Sequence, residues 1–444
     1  MRNLVLILFA ALIIGVIACT KVVQSDESKA TDKSLTHIKN RYVVFFEQTF
    51  IKPLVSDTAF YTKAIQAQEE IRTETKRKVQ KFCKEYNLTV DASKIFVDVA
   101  AAFVATMDEA KADSIRTDVR VQSLETDVEI EGKPIQQGKP IQQGKPIQQD
   151  EYGQPQDWGL SQIGDCLTSC AVTRAGGAAN GSAKPAVIWI VDTGIASGHP
   201  DLNLDATGLG RNFTVDPVST NTNDDNGHGT LVAGIAAAKQ INWDGTQKIC
   251  AGVSAGATVV PIKVLDSQGY GYWSHILNAL DYITRLPRRR GDVINLSLGE
   301  YPILNCNTEI AGLRQTLENA ARKHFVVMSS GNDMGDANES LPGCISGKNL
   351  FTVAALNCNK TCAYYSNFGA PVDWVAVGTD VFSTYLYDAE ARKWTYRVVS
   401  GTSMATAVIS GVIHANGQEP KKGDRVDCGA PGGTIIHYRL GTRR

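Results

Sequence analysis

The sequence carries almost no net charge. Its 45 Lys and Arg offset 46 Asp and Glu and leave −1 at pH 7. Such a surface offers no single-sign field to gather a nucleic acid or an anionic bilayer, so neither is expected as a partner. Long apolar runs are scarce too. The run from Leu4 to Ala18 follows one early Arg and is short for a membrane span, so residues 1–19 are expected to be a signal peptide. An N-terminal membrane anchor is the alternative. A second Asp-Thr-Gly is missing as well. The apolar run of "VIWIVDTGIASGHPDL", Val187 to Leu202, ends in Asp192-Thr193-Gly194. Catalysis by two such carboxylates sharing one proton needs another copy. The chain has no further Asp-Thr-Gly or Asp-Ser-Gly, which excludes it.

What is present allows a large core: 444 residues, 43% of them apolar, are enough for two or three domains. Of ten Cys, eight (Cys166, Cys170, Cys250, Cys306, Cys344, Cys358, Cys362 and Cys428) lie beyond the N-terminal segment that holds Cys83. An even set in an exported chain predicts structural disulfides, with connectivity open. Metal binding at "CLTSC" and "CNKTC" is the alternative, but no His-rich set lies near them. "VIAC", ending at Cys19, resembles the lipobox of bacterial lipoproteins. A cell-surface lipoprotein is thus the alternative to a secreted protein, and a membrane partner is expected only through a lipid on Cys19.

Residues 132–149 read GKPIQQ three times, and such Gly, Pro and Gln content cannot build a core. A flexible linker is expected over 131–156. Before it, strand 41–50, a helix of about 58–86, strand 95–106, helix 108–117 and strand 119–129 predict a small α+β domain over 37–130. After it, apolar runs alternate with helical patterns. "AVIWIV", "TVVPIKVL", "DVINLSL", "HFVVMSS", "LFTVAAL" and "WVAVG" suit buried parallel strands. Helices are expected over 229–239, 274–286, 310–324 and 403–412. The fold class is α/β, a doubly wound, mostly parallel sheet whose site lies at the carboxyl ends of strands.

Two further motifs accompany Asp192. "DDNGHGTLVAGIAAA" puts His228 before a helix of small apolar residues, and "VVSGTSMATAVISG" puts Ser403 at a strand-to-helix turn. A helix N-terminus favours negative charge developing beside it. The order Asp, His, Ser differs from that of the α/β-hydrolases and of chymotrypsin.

With "VDTGIASGHPDL", "HGTLVAGI" and "SGTSMA" in this order, the chain from about Asp157 to Gly411 resembles the subtilisin and proteinase K family of serine proteases. The resemblance implies a secreted, monomeric endopeptidase acting on protein and peptide substrates. Asp192 would orient His228, His228 would take the proton of Ser403, and Ser403 would attack the carbonyl. In "MSSGND", Asn332 falls on the family's oxyanion donor. "NLSLG" and "GYGYWSH" resemble its substrate-pairing strands. They assign Ser297, Leu298 and Gly299, with Ser330 and Gly331, to one wall, and Gly271 with Trp273 to the facing strand. The expected preference is for apolar or aromatic residues. Residues 37–130 resemble the family's ferredoxin-like propeptide, which would stay bound as an inhibitor after cleavage until it is degraded. Self-cleavage is expected between Glu131 and Asp157, and "QDWGLSQIG" at 156–164 resembles the start of the mature enzyme.

Departures accompany the resemblance. Ala407 stands where the family usually has Pro, and the tail 416–444 does not resemble the family's closing elements. Asp201 matches a calcium-ligand position of some members, while the loop from Lys239 to Cys250 departs from their calcium loop. No cofactor is required, and calcium is expected only as a structural ion. Two alternatives are an inactive binding protein and a kexin-like processing protease. For the latter's usual extra domain, the 41 residues after Ser403 leave no room.

Overall fold

The computed structural model describes residues 37–54, 63, 65–132, 136–137, 179–215, 217–239, 241–242, 248–287, 289–302, 306, 310–429 and 435–442. The expected signal peptide, Cys19, Cys166, Cys170 and the segment 156–164 lie outside them.

The N-terminal region runs β1 (His37–Phe46), α1 (Ile65–Glu85), β2 (Ile95–Phe96), β3 (Ala102–Thr106), α2 (Glu109–Arg116) and β4 (Val121–Glu131). Its strands lie in the order β4-β1-β3-β2, antiparallel throughout. Val44, Phe46 and Phe103 of the sheet bury against Val79 and Phe82 of α1 and Ala112 and Ile115 of α2. The α2 helix begins where Asp108 accepts the Lys111 N–H at 2.8 Å, a side-chain N-cap. The strand expected over 95–106 is broken. Residues 97–101 leave the ladder because the N–H groups of Val97, Asp98 and Val99 turn to the Asp281 carboxylate. A remote acceptor thus overrides a local apolar run. The expected helix of 58–86 is seen from Ile65, residues 55–62 being outside the described set.

The larger region contains β6 (Val187–Asp192), β7 (Asn203–Leu204), α3 (His228–Ala237), β8 (Thr258–Lys263), β9 (Tyr270–Tyr272), α4 (Trp273–Arg285), β10 (Val293–Leu296), α5 (Ala311–Ala321), β11 (Phe325–Ser329), β12 (Leu350–Leu356), β13 (Val372–Val377), β14 (Val381–Asp388), β15 (Lys393–Ser400), α6 (Thr402–Asn416), β16 (Lys421–Gly429) and β17 (Ile435–Thr442). The main sheet runs β16-β17-β13-β12-β11-β10-β6-β8-β7, with Arg211–Asn212 also pairing β8. All its pairs are parallel except β16 with β17. Six runs expected as buried parallel strands thus fall on β6, β8, β10, β11, β12 and β13. Ile188 and Ile190 of β6 share a core with Leu231 and Ile235 of α3 and Val408, Ile409 and Val412 of α6. Both helices are buried nearly all round, as their small apolar residues require.

Two features were not legible. The hairpin β14–β15 packs over α3, where Ser383 and Thr384 hydroxyls donate to the Leu231 and Thr230 carbonyls. The unfamiliar tail forms the hairpin β16–β17, whose Leu440 pairs Val375 at the sheet edge. Its Val426 and Leu440 pack with Leu356 and Val372, and Cys362–Cys428 ties it to the loop after β12. A second disulfide joins Cys306 and Cys344, while Cys83 is a free, buried thiol in α1.

Candidate active site

Asp192 ends β6 and His228 begins α3. Their separation in sequence is closed by backbone contact. A Cβ on Gly229 would lie 2.0 Å from the Gly194 carbonyl, so only glycine lets the helix start against the strand end. Asp224 organises the same turn. Its Oδ1 accepts from Thr193 Oγ1 and the Asn226 and Gly227 N–H groups, and its Oδ2 accepts from the Thr230 N–H and hydroxyl. Asp224 was missed in the sequence, although it lies in the same "DDNGHGT" motif; one acidic residue in a loop carries no signal of this role. Lys263 at the end of β8 donates to the Thr193 and Leu265 carbonyls and to Asp225, securing the turn from its other side.

The outcome is a buried pair. His228 Nδ1 lies 2.7 Å from Asp192 Oδ1, with both side chains fully enclosed. Burial pulls the imidazole pKa down, but the Asp192 charge and hydrogen bond outweigh it and hold the pKa above the ordinary 6.5. This arrangement leaves Nε2 as the ring's free nitrogen, and it makes no hydrogen bond.

Ser403 sits in the first turn of α6. Its hydroxyl donates to the Ser297 carbonyl at 3.2 Å rather than to His228. Ser297 in turn donates to the Ser403 carbonyl at 3.0 Å, so β10's end and α6 hold each other. Asn332, beyond β11, accepts from both the N–H and the hydroxyl of Thr402 at 2.8 Å through Oδ1. With Oδ1 so occupied, the amide Nδ2 is the group left to donate beside Ser403.

The predicted walls adjoin one another. Ser329 donates to the Leu298 carbonyl, and Ser330 donates to the Asn367 carbonyl. Gly331 adopts a φ of 99°, and a Cβ there would meet Asn367 Nδ2 at 2.3 Å. The groove between Gly299 and Gly271 is filled by the chain's own β4. Glu131 exchanges two backbone hydrogen bonds with Gly299, each 2.9 Å. Ile130 pairs Gly271, and the Gly132 N–H donates to the Gly269 carbonyl at 3.0 Å. A Cβ on Gly132 would stand 3.5 Å from His228 Nδ1, so the strand reaches the catalytic pair. Gln136–Gln137, the short strand β5, then pairs Val399 and Ser400 just before Ser403. The segment read as a free linker from residue 131 therefore begins with paired backbone.

Trp273 begins α4 next to β9 and is 3% exposed with β4 in the groove. Asp201 is buried, and its Oδ2 accepts the Tyr396 hydroxyl at 2.6 Å. Among the described residues no three His, Cys, Asp or Glu side chains gather.

Residues 183–418 match a family model described as the subtilase family. Over 227 residues the chain is 37% identical to thermitase of Thermoactinomyces vulgaris, spanning 51% of this chain and 73% of that protein. It is 26% identical over 329 residues to proteinase R of Parengyodontium album, spanning 73% and 72%. A solved cold adapted subtilisin-like serine proteinase aligns with 53% of this chain and 76% of its own at 23% identity and a TM-score of 0.42.

Proposed function

Since the chain belongs to the subtilase family and is a subtilisin-like serine endopeptidase, we propose that Asp192, His228 and Ser403 are its triad and that Asn332 is its oxyanion donor. The observation that carries this reading is the enclosed Asp192–His228 pair at 2.7 Å with Ser403 at the adjoining helix start. Asp192 holds the Nδ1 proton, which leaves Nε2 free to accept one. For reaction, Ser403 Oγ turns from the Ser297 carbonyl to His228 Nε2. His228 takes its proton as Oγ attacks the substrate carbonyl, and the resulting oxyanion accepts from Asn332 Nδ2 and the Ser403 N–H. His228 then returns the proton to the leaving amine, and water repeats the sequence on the acyl-enzyme. Base, nucleophile and oxyanion donors all come from the chain, so this route needs no cofactor.

Residues 37–132 act, in this reading, as an inhibitory propeptide, because β4 lies in the groove where a substrate strand would pair. The groove walls are backbone and small side chains, which favours an apolar or aromatic residue before the scissile bond. Two disulfides fit an oxidising, extracellular setting.

Labelling with a fluorophosphonate tests the assignment. The chain freed of residues 37–132 should take one label, on Ser403, and lose hydrolysis of a peptide substrate in step with it. Labelling elsewhere, or none in a folded chain, overturns the triad.

A further inference from the structure

The loop that carries Asn332 leaves the end of β11 and turns sharply on both sides of it. Gly331 has a φ of 99°, and Met334 has a φ of 55°. Two left-handed residues so close together need outside support, because the conformation is unfavourable for a side chain such as that of Met334. The loop's own outer face offers little of it, since Asn332 is half-buried and Asp333 and Met334 are exposed.

That support comes from Asn367, fully buried in the segment between β12 and β13. Its backbone N–H donates to the Gly331 carbonyl at 3.0 Å, and its carbonyl accepts the Ser330 hydroxyl at 3.2 Å. Its side-chain Oδ1 accepts the N–H groups of Asp333 at 2.8 Å and Gly335 at 3.0 Å. Two backbone donors on one oxygen settle which end of the amide is which. The other end, Nδ2, donates to Asp333 Oδ2 at 3.4 Å, and the same Oδ2 accepts the Asn332 N–H at 3.2 Å. One residue thus holds the chain before Asn332, at 330 and 331, and after it, at 333 and 335. The turn lies directly on the amide, for a Cβ on Gly331 would meet Asn367 Nδ2 at 2.3 Å.

We propose that Asn367 is a positioning residue for the oxyanion donor, fixing the backbone on both sides of Asn332 so that Nδ2 of Asn332 is aimed before charge develops. The inference rests on the reading of Asn332 as that donor. A donor set in advance costs no reorganisation at the moment of reaction. Thr402 sets the rotation of the Asn332 amide through Oδ1, while Asn367 sets the backbone from which that amide projects. An amide suits the place better than a carboxylate. It takes both N–H groups without burying a charge beside Asp333, and it keeps a donor for that residue. Without it, the Asp333 and Gly335 N–H groups must find other acceptors, and the loop shifts where Asn332 is attached.

A double-mutant cycle tests this. Each variant is folded as the full chain, and residues 37–132 are then removed with a second, separable protease. Asn367→Ala should lower kcat on a peptide anilide by about tenfold to a hundredfold and leave KM little changed, as expected for a misplaced transition-state group. In an Asn332→Ala background the same substitution should lower kcat by less than about threefold, because the group it positions is already gone. A role elsewhere in the site gives equal factors in both backgrounds. That result, or an unchanged kcat in Asn367→Ala alone, overturns the proposal. If Asn367→Ala does not fold, Asn367→Ser replaces it in the cycle, since its shorter hydroxyl cannot take the place of Oδ1. The donor reading fails by a different sign: Asn332→Ala alone keeps full kcat, and the proposal then falls with it.

Discussion

Glu131 and Gly299 exchange two backbone hydrogen bonds of 2.9 Å each, although 168 residues of chain separate them. This single antiparallel pair puts β4 inside the groove. It aligns Ile130 with Gly271 and carries Gly132 to His228. The strand thereby reaches the enclosed Asp192–His228 pair.

Asn332 has its Oδ1 held by Thr402, so its Nδ2 is committed to a fixed direction. Asn332→Ala removes a donor needed when charge develops and not before. In the freed enzyme kcat should fall on the order of a hundred- to a thousandfold, with KM little changed. Steady-state kinetics on a peptide anilide check this. A rise in KM at constant kcat would assign Asn332 to ground-state binding instead.

Asp192→Asn should leave the fold intact and lower kcat on the order of ten-thousandfold, since an amide favours the wrong imidazole tautomer. The pH profile offers a second readout. His228 must be neutral to accept the Ser403 proton, and Asp192 raises its pKa. The acid limb of kcat/KM should therefore lie above pH 6.5 while Asp192 is present and move to lower pH in the variant. A limb that stays in place would separate His228 from the titration.

Gly132 and Gln136 are both paired to the peptidase domain, at Gly269 and at Ser400. By count, Lys133, Pro134 and Ile135 join them. Proline lacks an N–H and has a fixed φ, so the bonds beside it make poor sites for attack. Pro134→Ala should speed self-cleavage of the full chain, measured as the rate at which the precursor mass disappears. An unchanged rate would place the cut farther along, among the later GKPIQQ copies or beyond.

The clearest parts of the sequence were those whose demands are local. Val187 to Asp192 reads as a buried strand because apolar residues, most of them β-branched, run unbroken to an acidic end, and it is one. The stretch 229–239 reads as a helix of small apolar residues, and the helix observed is His228–Ala237, buried all round. The order Asp192, His228, Ser403, with Asn332 between, marked the candidate site because each lies in a motif whose neighbours impose a particular backbone turn.

The sequence by itself determined the strand and helix segments of the α/β sheet, the residue types of the site and their order. Those follow from side-chain period, apolar runs and glycines at tight turns, all read within a few residues. Only the tertiary structure decided that Ser403 turns to Ser297, that Asp224 gathers the His228 turn, and that Asp201 answers Tyr396. It also decided that Val97 to Val99 abandon a strand for Asp281, and that the tail closes the sheet edge through Leu440 and Cys428. Each is a contact between groups far apart in the chain. Such contacts depend on which buried donor lies nearest an acceptor once the layers have packed, and neither periodicity nor spacing records that distance.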